Sequence, residues 1–412
     1  MRRLRVILGG NRDLRLLLAA NLVSLTGDWI LRTGIAYQIY VLTGSTLASA
    51  AIVLASLLPQ VAFGSVAGVY VDRWDRRRTM AVTNLLMAAA LLPLLAVQGA
   101  GRAWIVYAVI ALQSCLAPFF TSAEAALVPS VVPADQLVTV NSLNGQVRDV
   151  ARLIGAGLGG VIAGFGGIVL LSVVDIATFL LAAALIAGVR ARPATGPAQR
   201  PHVLREWAEG LRIATTGRTL RVFLAFTLIT GVGEAIMGTL GAPFVRDVLG
   251  GDARAFGAIM AAQAIGGIAG GVLVTMIGHR FAPRAMFGWG AAVFGTLDLV
   301  LFLYPLLSPA LWPAIALMVL IGVPAGFLVA GAMTVFQQAT DDSHRGRVYG
   351  ATVAADGAAM LLGTIVAGTL GERLGILPVI AAQGALYAGA GILILLTLPR
   401  DNPVRPQVSL AA

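Results

Sequence analysis

The sequence predicts an all-α integral membrane protein with twelve transmembrane helices in two six-helix parallel repeats. Three observations predict it. Of 412 residues, 58% are hydrophobic and only 12% charged, against about 45–50% and about 25% in soluble domains. Mostly apolar runs of about twenty residues, the length a membrane-crossing helix needs, recur twelve times. The arginines fall between these runs and favour alternate loops.

The spans lie at 16–42, 47–71, 79–98, 103–123, 142–165, 167–189, 222–246, 255–277, 285–307, 310–336, 351–371 and 376–398. Buried strands fail on length, and the runs of Leu, Ala, Val, Ile and Gly show no period-2 alternation. The first run follows Met1-Arg2-Arg3-Leu4-Arg5 and imitates a signal peptide. It is too long for one, and Asp28 and Arg32 interrupt it, so it reads as the first span. Residues 1–189 then form an N-terminal six-helix bundle and 222–400 a C-terminal one, with 401–412 a cytoplasmic tail. The linker at 190–221 carries Leu204, Trp207, Ala208 and Leu211 at helical spacing. It reads as an amphipathic helix on the inner membrane surface, either a tether or a lipid sensor.

The net charge is +10. Arginine supplies all 29 basic residues, and 22 of them occupy the two tails and the even-numbered loops. Arg102, Arg246, Arg254 and Arg373 lie on the other side, and Arg32, Arg148 and Arg152 lie within spans. The positive-inside rule, like the even span number, puts both termini in the cytoplasm. Topology thus accounts for the charge, and no nucleic-acid partner is expected.

The residue inventory excludes several chemistries. Without lysine there is no P-loop ATPase, retinal Schiff base or pyridoxal enzyme. Cys115 is the single cysteine, so no intrachain disulfide forms. His202, His279 and His344 all fall between spans, which argues against haem or a histidine metal site. No cofactor and no metal are expected.

The halves align at an offset of 206 residues. Asn11 through Ala19 faces Gly217 through Ala225, and Gly27-Asp28 faces Gly233-Glu234. Gly44 faces Gly250, Gly64 faces Gly270, Arg78 faces Arg284, Pro118 faces Pro324, Asp135 faces Asp341 and Gly157 faces Gly363. Chance apolar similarity would not keep arginine, glycine and carboxylate in register. Six spans per half make the repeats parallel, about an axis along the membrane normal. That arrangement places a site at the midplane between the halves.

After the second span comes Gly68-Val69-Tyr70-Val71-Asp72-Arg73-Trp74-Asp75-Arg76-Arg77. With twelve spans and a 6+6 repeat, the chain resembles the major facilitator superfamily, whose loop signature is Gly-x-x-x-Asp-Arg-x-Gly-Arg-Arg. Asp75 stands where glycine is usual. This variant, the stretch Pro129 through Asn141, Arg345-Gly346-Arg347-Val348 and Leu25-Thr26-Gly27-Asp28 are similar to the macrolide-efflux and enterobactin-exporter-like branch of drug–proton antiporters. Gly155-Ala156-Gly157-Leu158-Gly159-Gly160 is similar to the antiporter signature Gly-Pro-x-x-Gly-Gly, with Ala156 in place of proline. The resemblance implies a plasma-membrane exporter of drug-, antibiotic- or siderophore-like amphiphiles, linked to drug resistance. It also implies a cytoplasmic gate in the second half at Arg345 and Arg347.

Physically, Gly64 and Gly68 allow close helix approach. Asp72 at the membrane edge can then accept hydrogen bonds from the other half, making the loop a latch. Alternatively, Arg73, Arg76, Arg77 and Arg78 only anchor topology. Carboxylates inside a bilayer mark function by default. Asp28 and Glu234, each about 12 residues or about 18 Å into its span, are the expected proton-coupling pair. Asp28 has an alternative role as the ion-pair partner of Arg32, one turn away. Asp175, Asp298 and Asp356 are further candidates, either in the cavity or near the membrane faces, with Glu124 near a span end, and Asp149 is expected in an ion network with Arg148 and Arg152.

The expected partners are a small-molecule substrate, protons and the bilayer, and the expected assembly is a monomer. Alternatives are an importer or uniporter on the same fold, or an intramembrane enzyme. The enzyme reading lacks His-Glu-x-x-His and any histidine in a span to serve a serine nucleophile.

Overall fold

The computed structural model describes residues 11–71, 74–133, 136–190, 211–213, 215–340 and 345–399. Among these are eleven α-helices: α1 (Arg12–Thr43), α2 (Thr46–Val71), α3 (Arg76–Leu91), α4 (Ala103–Val131), α5 (Leu137–Ala187), α6 (Arg218–Pro243), α7 (Ala253–Ile277), α8 (Pro283–Leu303), α9 (Leu311–Ala339), α10 (Arg345–Leu374) and α11 (Ile376–Thr397). Ten candidate spans are long and apolar enough to cross a bilayer, so the chain is a multi-pass all-α membrane protein.

The fifth and sixth expected spans are the two limbs of α5, whose 51 residues would measure about 77 Å if straight. It is not straight. Gly167 takes φ 55°, ψ −149°, and the chain folds back there along α1. A Cβ at Gly155 would lie 2.5 Å from Trp29 Cβ, and one at Gly159 would lie 2.6 Å from the Ile30 carbonyl. Gln38 Nε2 donates to the Ala163 carbonyl at 2.8 Å. Beyond the bend the order reverses, with Leu171 against Gly34, Asp175 against Gly27 and Gly188 against Leu16. Only glycine adopts that bend cheaply. The amphipathic stretch of the linker, apart from Leu211, lies outside the described residues, and α6 starts four residues before the expected span.

Local signals fix the helix ends. Asn11 Oδ1 accepts from the Leu14 amide at 3.0 Å, and its Nδ2 donates to the Val131 carbonyl at 2.7 Å. Asp75 caps α3 by accepting from the Arg78 amide at 2.8 Å, and Asp252 caps α7 by accepting from the Ala255 amide at 2.9 Å. Gly44 ends α1 at φ 65°, and Gly250, 206 residues on, has the same φ. The repeat therefore extends to backbone conformation. A five-residue π-helical turn, Phe244–Val248, follows Pro243 and presents Arg246 and Asp247.

The halves meet along α5–α7 and α2–α10. They join firmly at the end away from the termini. There Tyr37 Oη donates to the Gly251 carbonyl at 2.9 Å, and Tyr40 Oη donates to Asp247 Oδ2. Arg246 Nη1 donates to the Tyr40 carbonyl at 3.0 Å, and its guanidinium lies 5.5 Å from that ring's centre. Ser45 Oγ and the Leu47 amide donate to Glu372 Oε1, and Thr46 Oγ1 donates to the Gly368 carbonyl at 2.9 Å. Tyr40 and Arg246 are 206 apart, and equivalent residues that touch each other lie on the pseudo-axis. Toward the termini α5 and α7 part. Beyond the contact of Gly160 with Gly257 they leave a groove of about 790 Å³, lined by Asp149, Arg152, Gly267 and Gly271, with α9 as its third wall.

Candidate functional site

A cavity of about 330 Å³ lies between the halves, behind this joined end. Helix α1 supplies Asp28, Trp29 and Arg32. Helices α2 and α4 supply Ser56, Gln60 and Gln113, and Phe256 and Met260 come from α7. Asp28, Trp29 and Arg32 share one face because three and four residues close a helical turn. The wall is thus mainly apolar and aromatic with a few polar groups, as small-molecule sites are.

Asp28 and Arg32 both face the cavity without closing an ion pair. Among the described residues, ion pairs form at Arg148–Glu124 (4.0 Å) and Arg246–Asp247 (3.9 Å). Asp28 has a second carboxyl behind it. Asp175 of α5 is completely buried, and Thr178 Oγ1 donates to its Oδ1 at 3.0 Å while Oδ2 finds no partner. Gly27 makes this possible, since a Cβ there would collide with Asp175 and Thr178. Asp28 and Asp175 lie within electrostatic reach of each other.

The second half gathers carboxyls differently. Glu234 of α6 is accessible and accepts from Tyr387 Oη at 3.2 Å. Asp298 of α8 is buried and accepts from Gln383 Nε2 at 2.9 Å, leaving Gln383 Oε1 without a partner. Asp356 of α10 abuts Gly231, where a Cβ would lie 2.7 Å from its Oδ1. Both aspartates stand within electrostatic reach of Glu234. Asp28 and Glu234 therefore correspond in the repeat, yet one lines a cavity with an arginine and the other sits among acids.

The loop signature falls partly outside the description. Gly64 and Gly68 lie within α2, while Asp72 and Arg73 are outside the described residues. Arg76 Nη1 donates to the Ala126 carbonyl at 3.0 Å, and Arg77 Nη1 to the Val189 carbonyl at 2.6 Å. These two bonds stay within the first half, as the anchoring alternative has it, while the latch expected at Asp72 falls outside the described residues. Free carbonyls at helix ends attract such donors. Arg284 does the same to Leu395, which is 206 residues beyond Val189. Arg345 and Arg347 lie in the first turn of α10.

The glycine motif on α5 splits between two faces. Gly155 and Gly159 pack on α1, whereas Gly157 and Gly160 face α7. A Cβ at Gly160 would sit 2.7 Å from Gly257 Cα, so backbone meets backbone across the halves. Among the described residues, Asp149 closes no ion pair with Arg148 or Arg152. Arg148 turns to Glu124, which also accepts from Asn21 Nδ2 at 2.6 Å. Arg152 lies 6.0 Å from the Trp29 ring centre.

Sequence reasoning passed over Tyr40 and Asp247, whereas Asp175 and Glu124 stood out as acids within or near a span. The glycine before Asp28 accounts for the place of Asp175, since it leaves room for that close neighbour. The acid–tyrosine contact at the joined end carries no local pattern.

These features define a class: a two-halved helical transporter with a central cavity closed at one end. The model of the transmembrane secretion effector family, a branch of the major facilitator superfamily, matches residues 11–409, and the chain belongs to that family. It is a transporter and not an enzyme. It is 23% identical over 393 residues to macrolide efflux protein A of Streptococcus pyogenes, covering 94% of this chain and 95% of that one. It is 27% identical over 380 residues to the multidrug efflux pump Tap of Mycolicibacterium fortuitum, covering 88% and 90%. The fold matches an inward-facing bacterial homologue of the iron transporter ferroportin with TM-score 0.75 at 14% identity, covering 93% of this chain and 98% of that one. An outward-facing structure of a bacterial ferroportin homologue matches at TM-score 0.61.

Proposed function

We propose that the chain exports small amphipathic molecules, of drug, antibiotic or siderophore type, across the bacterial plasma membrane in exchange for protons. One observation carries this reading: a titratable acid, Asp28, stands in the wall of a cavity that lies between the halves behind a joined end. Efflux-named relatives support the direction and the cargo class. The joined end faces outward in this reading, with both termini and the linker in the cytoplasm and the protein working as a monomer. The better match to an inward-facing fold agrees with that orientation.

In the cycle, Asp28 and Glu234 take up protons while the cavity faces outside and release them inside. The two halves rock about their contact surfaces. Each charge moved through 100 mV supplies about 2.3 kcal/mol. Asp75 caps α3, Arg76 and Arg77 tie the inner helix ends, and Arg345 and Arg347 gate the second half at the same face.

The test is proton flux in proteoliposomes. A deletion strain screened for drug susceptibility and siderophore secretion first identifies a cargo. With that cargo and an imposed proton gradient, Asp28→Asn and Glu234→Gln are each expected to reduce cargo-dependent proton flux at least about tenfold. That is about 1.4 kcal/mol of lost coupling. Unchanged gradient-driven export in both variants overturns the coupling assignment. Export that needs ATP and a partner protein overturns antiport itself.

A further inference from the structure

Two arginines stand within membrane-spanning helices and take no part in an ion pair among the described residues. Arg32 is exposed in the wall of the central cavity. Arg152 lines the groove between α5, α7 and α9. Its Nη2 reaches to 4.0 Å from where a Cβ would stand on Gly267 of α7. One residue joins the two sites. Trp29 belongs to the central cavity's wall, one turn from Arg32, and the Arg152 guanidinium lies 6.0 Å from the centre of its ring.

The local acids leave this pair available. Asp175 is buried behind Gly27. Glu124 is engaged by Asn21 and Arg148. Asp28 faces the cavity near Arg32, and Asp149 lines the groove one turn from Arg152, yet neither closes on its neighbour. Stacking on an aromatic ring occupies the face of a guanidinium and leaves its in-plane N–H donors free. Those donors match a carboxylate or phosphate in bidentate fashion. An arginine held inside a bilayer with its guanidinium not closed on a neighbouring acid marks a ligand pathway.

We propose that Arg32 and Arg152, on either side of Trp29, form a receptor for the acidic head group of an amphipathic cargo. The apolar part of such a molecule lies against the small and aliphatic residues of the groove, among them Gly267, Ile268 and Val329. The groove between α5 and α7 is then its way into the central cavity. This inference names the cargo class of the transport reading and rests on it. Its test uses no gradient, so a failure of proton coupling and a failure of this receptor give separate results.

The test is binding of 11-(dansylamino)undecanoic acid and its methyl ester to the purified full chain in phosphatidylcholine nanodiscs. Energy transfer from tryptophan to the dansyl group is the readout. The acid is expected to bind at least about tenfold tighter than the ester, a comparison that needs no variant. Arg152→Gln and Arg32→Gln are each expected to weaken acid binding about tenfold while leaving the ester unchanged, and Arg152→Lys to restore part of the loss. Equal binding of acid and ester by the unaltered chain overturns the proposal. So does an acid preference that survives in the Arg32→Gln, Arg152→Gln double variant. Tighter binding of the matching undecylamine probe makes the site cationic in preference and overturns it as well. Displacement of the acid by millimolar inorganic phosphate overturns the assignment to an amphiphile.

Discussion

Tyr40 shows how one side chain can hold two half-molecules together. Its hydroxyl donates to Asp247, its carbonyl accepts from Arg246, and its ring lies beneath that guanidinium. Hydrogen bonds between membrane helices are worth about 0.6 kcal/mol on average and up to about 1.7. Tyr40→Phe removes one such bond and leaves the Asp247 carboxylate a partner short. The joined end is then expected to open about 3- to 18-fold more often, taking 1.36 kcal/mol per tenfold. The check is thiol labelling of Ser114→Cys, a cavity residue, in a Cys115→Ala background, with a membrane-impermeant reagent applied from the side opposite the termini. An unchanged labelling rate means that Tyr40 does not hold the seal. At this scale the sequence was legible where residues repeat. Gly44 and Gly250 announced their shared turn, but nothing local marked Tyr40, because its partners are more than 200 residues away.

Helix α5 turns the lesson from residues to elements. Composition gave two spans there, as the thickness of a bilayer requires, and the structure joins two helical limbs at Gly167 with no loop between them. Periodicity cannot distinguish a helical hairpin from two helices with a loop, since both have the same apolar content. Only the φ at Gly167 makes the difference. Gly167→Ala forces a Cβ onto φ 55°, ψ −149°, a conformation that costs about 1–3 kcal/mol outside glycine. A clear fall in apparent melting temperature is expected. Gly101→Ala is the control, because that position is open and free of positive φ, and it is expected to leave melting unchanged. Equal melting of the two variants would show that the bend carries no strain. The carboxylates were legible as a set for a related reason: charge in an apolar run stands out. Their depth and company were not, because burial depends on helix rotation, which apolar runs on all sides leave undetermined.

The molecule as a whole consists of two sets of helices fastened at one end and separated at the other. Fold and family were legible almost throughout, from span number, arginine placement and the repeat. The shape of the cavity between the halves was not, since it arises from contacts across the repeat. A covalent tie at the joined end tests the rocking motion directly. A Cβ at Gly371 would lie 3.3 Å from that of Thr46, close to the usual separation in a disulfide, about 3.5–4.5 Å. Thr46→Cys with Gly371→Cys, again without Cys115, is expected to form a disulfide under mild oxidation and to stop export in vesicles. Reductant should restore it. Transport that continues at full rate in the oxidised protein would mean that this end never opens.

The meeting of Gly160 with Gly257 sets a mechanical scale. It acts as a fulcrum on the first limb of α5, and Gln146 lies 14 residues down that limb, a lever arm of about 21 Å. A roll of about 15°, of the size seen when packed subunits swing past one another, moves the tip by about 5 Å. Arg152 sits at little more than half that radius and sweeps about 3 Å. Small backbone clearance at one glycine thereby becomes a stroke as wide as a side chain where cargo passes.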